Sequence, residues 1–225
     1  MSTERKRTVA IIAVIIVIVG GYRIYALNYS DEGIMDHVIA HKGYDVNLVK
    51  EQVPVKIFVK PEWIAFGQDE RKDLKAEVLE MNHTRILLND VLNRGNDIYF
   101  SFEAFPGWEH RSGEFMYNGK VNPDGSVTTQ GPNLRLTDRS GQEIPCGQSG
   151  QGPRISFSFG INPEYHRLIR DGFYVEYSDF NVYRYAKKIN EEWLGFNSIF
   201  QCRITVFLSA FPAEESFYTQ NNSFR

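Results

Sequence analysis

Two glutamates are the residues best placed to do chemistry. Glu103, in Tyr99-Phe-Ser-Phe-Glu103, and Glu176, in Tyr174-Val-Glu-Tyr177, each lie among aromatics and out of phase with their apolar neighbours. Glycoside hydrolysis needs two carboxylates flanking a sugar. If their strands were neighbours, Glu103 and Glu176 would line one concave glycan-binding face, as a hydrolase or as a carbohydrate-binding module. Each alone reads as a solvent-facing side chain on an exposed sheet, and the pair carries no spacing signature.

The other reactive residues offer less. Cys146 opens Cys-Gly-Gln-Ser-Gly-Gln-Gly152, and Cys202 falls in phase with Ile204, Val206 and Leu208. A Cys146–Cys202 disulfide would close a large loop, worth about 4 kcal/mol; the alternative is one buried thiol and one loop thiol. The glycines after Cys146 lack the Lys-Ser/Thr of a phosphate cradle, Ser149 lacks the G-x-S-x-G spacing of a hydrolase elbow, and no second cysteine completes C-x-x-C. A surface loop is the expectation. His37 and His41 are spaced i, i+4 beside Asp36, but the H-E-x-x-H pattern and a third ligand are missing. His83, His110 and His166 are dispersed, so no metal or cofactor is expected.

The elements that must position these residues follow from periodicity. Ser30-Asp-Glu32 precedes an Ile34, Met35, Val38, Ile39 stripe and Gly43, which predicts a helix near 31–42. From Val53 the period becomes two: Val53, Val55, Ile57, Val59; then Ile98, Phe100, Phe102; Ile155, Phe157, Phe159; Phe173, Val175, Tyr177; and Ile204, Val206, Leu208. Alternation of this kind marks half-buried antiparallel strands. Asn122-Pro-Asp-Gly125 and Asp138-Arg-Ser-Gly141 read as turns. Residues 71–91 combine alternation with a charged, helix-compatible composition and are expected to pair as strands turning at Asn82-His83. Asn162-Pro163 opens a short helix through Arg170, and Ile189–Leu194 would form another. About eight to ten strands without β-α alternation predict an antiparallel β-sandwich, immunoglobulin-like or jelly-roll-like.

Composition adds a location. Val9 to Val19 has no polar side chain, and residues 8–27 in helical form would span about 30 Å, a hydrocarbon core. Arg5, Lys6 and Arg7 precede the span and favour a cytoplasmic N-terminus. Arg23 is near enough to the far end to snorkel, beside Tyr22 and Tyr25. A signal-peptide core of similar length is the competing reading, but residues before Ala26 fit a cleavage site poorly. The expected organisation is a tail at 1–7, a transmembrane signal-anchor helix at 8–27, a helical linker at 28–52, an extracytoplasmic β-sandwich at 53–215 and a flexible tail at 216–225.

Splitting the charge there changes its meaning. The chain carries −3 overall, but residues 28–225 hold 21 basic against 27 acidic groups, or −6. Nucleic acid and polyanions are disfavoured partners short of a local basic patch. Aromatic residues make up 14% of the chain, so Phe105-Pro-Gly-Trp108, Phe115-Met-Tyr117 and Tyr183-Arg-Tyr185 belong either to the core or to a binding patch. The expected function is a non-enzymatic binding or structural role in the cell envelope, with an envelope protein or the cell wall as partner. The glycan-active reading through Glu103 and Glu176 is the rival. Non-reducing mass spectrometry of the purified protein should show the Cys146–Cys202 crosslink; two free thiols would discard it.

Overall fold

A computed structural model describes residues 3–152 and 155–188. It is mainly β, with antiparallel sheets following an apolar N-terminal helix. Helix α1 (Thr3–Asn28) continues through the apolar stretch, beginning before residue 8 because the basic residues there have good helix propensity. At 26 residues it is about 39 Å long. Helix α2 (Asp31–Ile39) is capped by Ser30, whose Oγ accepts the Gly33 N–H at 3.1 Å.

The expected helical linker of 28–52 ends early, since strand β1 runs from Tyr44 to Val59. Residues 45–52 do not alternate, and most of them are exposed. The backbone ladder rather than burial makes them a strand. Strands β2 (Arg71–Met81) and β3 (Thr84–Asn93) form the expected hairpin. Its turn residues Asn82 and His83 both have positive φ, 48° and 54°, as a two-residue primed turn requires. There follow β4 (Ile98–Pro106), β5 (Ser112–Tyr117), β6 (Lys120–Val121), β7 (Val127–Thr128), β8 (Leu134–Asp138) and β9 (Glu143–Ile144). Strands β10 (Ser149–Gly152) and β11 (Ser156–Ile161), a short helix α3 (His166–Ile169) and β12 (Phe173–Lys187) complete the described chain.

The surface-loop reading of the glycine-rich stretch needs correction, because Ser149–Gly152 is edge strand β10. Glycine is a poor strand former, but here β11 supplies the ladder from Ser156 to Phe159. The short helix expected from Asn162-Pro163 is present as a 3-10 turn, Pro163–Tyr165, running into α3. The helix expected at 189–194 and the strand around 204–210 lie outside the described residues.

Two five-stranded sheets and one small ribbon result. The first sheet has the order β1-β12-β8-β9, with β5 also on β12; the second has β10-β11-β4-β3-β2; β6 and β7 pair with each other. Strand β12 organises the first sheet. Strand β1 pairs along its whole length, while β8 takes Phe173–Tyr177 on the other side and β5 takes Asn181–Ala186. At the changeover, Asn133 accepts the Ser178 N–H and gives its own N–H to Asp179 Oδ2 at 2.6 Å. The alternation slips there: Phe173, Val175 and Tyr177 face one side, as Phe180 and Val182 then do.

Both sheets contribute to one buried cluster. Val55, Ile57 and Val59 of β1 and Val175 of β12 meet Phe100 and Phe102 of β4 and Phe157 and Phe159 of β11. Three rings link the sheets directly: Phe157 stacks on Phe102 at 4.8 Å and on Tyr177 at 4.2 Å. A second cluster lies on the opposite face of the β1/β12 ribbon, where Ile34 and Val38 of α2 pack with Tyr44, Phe115, Tyr183 and Tyr185. Phe157→Ala removes the middle ring of the stack, and should cost about 3–5 kcal/mol in a denaturant titration with an unchanged slope.

Candidate functional site

The paired-carboxylate arrangement is not formed. Glu103 lies on β4 of the second sheet and Glu176 on β12 of the first. Their strand neighbours Phe102, Ala104, Val175 and Tyr177 all enter the shared core. The two glutamates therefore project from opposite outer faces with that core between them. Each has its own local partner: Asn89 Nδ2 donates to Glu103 Oε2 at 2.8 Å, and Lys56 Nζ ion-pairs with Glu176 Oε1 at 3.1 Å.

Glu103 borders a cleft of about 310 Å³ between α2 and the end of β4. Asp31, Arg85, Phe105 and Trp108 also line it. Of the aromatic motifs, Phe105 is exposed, whereas Trp108 packs on Phe115 and Tyr185 at 4.7 and 5.5 Å. Phe115, Tyr183 and Tyr185 are buried, so these motifs serve mainly the second cluster.

Glu176 lies on the outer face of the first sheet, at the end remote from α2. Cross-strand register places Lys56, Glu176 and Arg135 in one row, and Phe58, Tyr174 and Thr137 in the next. The rings of Phe58 and Tyr174 are 5.0 Å apart. Lys56 Nζ sits 4.8 Å from the Tyr174 centroid and the Arg139 guanidinium 5.6 Å from that of Phe58. Lys60, two residues beyond Phe58, lies 4.9 Å from the Trp63 centroid. The signal for this array was present in the sequence as Lys56-x-Phe58-x-Lys60, the polar phase of the Val55-x-Ile57-x-Val59 alternation. That β8 brings Arg135 and Arg139 alongside is a product of strand order.

Where α1 meets the domain, the chain is tightly fastened. Ser30 Oγ donates to the Ala26 carbonyl at 2.5 Å. A Cβ on Gly33 would lie 2.5 Å from the Ala26 and Leu27 carbonyl oxygens, so only glycine fits. Tyr29 stacks on His110 at 4.5 Å. His110 Nδ1 donates to the Asn28 carbonyl at 3.2 Å, and Lys187 Nζ donates to His110 Nε2 at 2.7 Å. A carbonyl can only accept, so the contact with Asn28 requires a proton on Nδ1. Sequence spacing alone left His110 isolated, because its partners are 82 and 77 positions away.

The remaining expected sites are placed as follows. His37 and His41 do not join a metal-binding group; no cluster of three or more His, Cys, Asp or Glu suited to a metal occurs among the described residues. His41 lies past the end of α2 with φ 55°. Cys146 is half-buried and has no cysteine partner among the described residues, and burial pushes its thiol pKa up, which disfavours the nucleophilic thiolate. Its expected partner Cys202 lies outside the described residues. No known protein family, curated protein or solved structure matches the chain.

Three buried tyrosines pin α2 and the neighbouring loops to the sheet. Tyr44 donates to the His110 carbonyl at 2.8 Å, Tyr183 accepts the Val121 N–H at 3.0 Å, and Tyr185 accepts the Glu109 N–H at 2.7 Å. Burial raises the pKa of all three, and of Tyr117 and Tyr177. A raised folded pKa favours the neutral phenol in the native state. This contribution is complete below the unfolded value of about 10 and disappears as pH rises through the folded values. Stability should therefore be insensitive to these groups at neutral pH and fall above about pH 10. In a spectrophotometric titration at alkaline pH, these five of the 12 tyrosines should ionise late, together with loss of near-ultraviolet dichroism.

Proposed function

We propose that this chain is a single-pass membrane protein whose β-sandwich, formed by the two sheets, faces the outside and binds or supports a component of the cell envelope. The observation carrying this reading is α1. Its stretch Ile11–Asn28 has a mean hydropathy of 2.0, and none of it is buried by the rest of the protein. Leaving some 18 residues of this kind in water is unfavourable, at about 25 cal/mol per Å² of apolar surface; a bilayer removes that cost. The basic residues before the apolar stretch support an N-terminus on the cytoplasmic side. A signal sequence would have the same apolar character, but the fastening of α1 to α2 and His110 favours a helix retained in the mature protein.

A binding or structural role is favoured over glycan hydrolysis because Glu103 and Glu176 face away from each other. Carbohydrate binding without turnover keeps support from the aromatic and cationic face around Glu176. The reading is tested on right-side-out membrane vesicles. The protein should stay in the pellet after alkaline carbonate extraction, keep its N-terminal methionine-containing peptide, and lose its domain to protease added outside. Release by carbonate, loss of residues 1–26 from the mature chain, or a protected domain would each count against it.

A further inference from the structure

We infer that the outer face of the first sheet around Lys56, Lys60, Arg135 and Arg139 is a docking surface for an anionic glycan, a polysaccharide bearing carboxylate or phosphate groups. The inference deepens the envelope-binding reading by naming its partner class, and relies on that reading for where such a polymer would be met.

Charge sets this face apart. Residues 28–225 carry −6, yet this face gathers four cations against Glu176 and, across from Thr137 on β9, Glu143. With Asp138 beside Arg139 counted as well, the local excess is +1, on a domain whose summed charge repels polyanions. Glu176 pairs with Lys56 and faces Arg135 across the strands, so it offsets part of this charge from within.

The cations of this face are also preorganised. Two of the four cation–ring contacts among the described residues belong to this one face, Lys56 on Tyr174 and Arg139 on Phe58, and Lys60 at its border lies over Trp63. Long cationic side chains ordinarily lose rotamer freedom when they bind an anion. Here aromatic rings already hold them, with the heads still solvated; Lys56 is 58% exposed. The Phe58 and Tyr174 rings, tilted 50° to each other, supply the aromatic surface on which Arg139 and Lys56 rest.

The face lies away from the α2 end of the sheet. Lys56 is 12 residues along β1 from Tyr44, which packs against α2. At about 3.3 Å per residue the face lies up to roughly 40 Å along the strand from Tyr44, several times the Debye length of about 10 Å at 0.1 M salt. The other end of this sheet face is covered by α2, whereas Lys56, Lys60, Arg135 and Arg139 at the cationic end are exposed.

The test uses the full chain in nanodiscs of phosphatidylcholine. Binding is measured at 50 mM and 200 mM salt to polygalacturonate and to poly(glycerol phosphate), with dextran as the neutral polymer. At least one anionic polymer should bind, dextran should not, and affinity should fall with salt. Lys56→Gln with Arg139→Gln should weaken binding tenfold or more, while Lys42→Gln at the end of α2 should leave it unchanged. Glu176→Gln removes the internal counter-charge and should strengthen binding two- to fivefold, a direction that a merely structural role or a hydrolytic role would not produce. Native near-ultraviolet dichroism of each variant separates lost binding from lost folding. No binding by the folded wild type, equal binding by the double variant, or selective binding of an oligonucleotide or anionic vesicles instead of the polymers would overturn the proposal. Because nanodisc incorporation is scored separately, failure of the anchor and failure of the docking face give different results.

Discussion

Side chains alternate along a strand, so one strand can serve buried clusters on opposite faces only if its register is arranged to divide the work. Strand β12 does this with a slip at Ser178–Asp179. Before the slip, Val175 and Tyr177 enter the main core; after it, Phe180 and Val182 do, which leaves Tyr183 and Tyr185 for the opposite cluster with α2. Asn133 satisfies both the backbone of Ser178 and the carboxylate of Asp179 at this point. Without that irregularity, either the tyrosines would enter the main core or α2 would have no apolar surface to cover. The change of neighbour from β8 to β5 occurs at the same place, so strand order and packing depend on one local feature.

Much of the β architecture was legible because burial and alternation coincide. Val53–Val59, Ile98–Phe102 and Phe173–Tyr177 each show period two, and each is half-buried in the sheets as expected. The Asn82-His83 hairpin and the Asp138–Gly141 turn were likewise announced by their residue types. Residues 45–52 were not, because they are exposed along a sheet edge and nothing selects apolar side chains there. Pro54, Lys50 and the register breaks of β1 also disfavour further strand pairing along that edge. The separation of Glu103 from Glu176 was unreadable for a different reason: phase tells which face a residue takes within a sheet, while the assignment of β4 and β12 to separate sheets depends on long-range pairing.

The same distinction applies to charge. Summed over residues 28–225 it describes an acidic domain, but the lattice of strands sorts charges by face. Lys56 and Lys60 come from β1 and the chain just after it, Arg135 and Arg139 from β8 and the turn that follows, and β12 between them contributes only Glu176 and Tyr174 to those rows. Residues some 80 positions apart thereby form one electrostatic feature. Long-range pairing converts a dilute composition into a concentrated potential.

The fastening around Ser30, Gly33 and His110 has a mechanical consequence. A glycine- or serine-rich tether would let a domain swivel independently of its helix. Here two residues separate α1 from α2, the carbonyls of Ala26 and Leu27 abut Gly33, and Asn28 and Tyr29 are held by His110. Rotation of α1 about its axis is thus geared to rotation of the sheets. Torque applied at either end is delivered to the other through a joint with little free play.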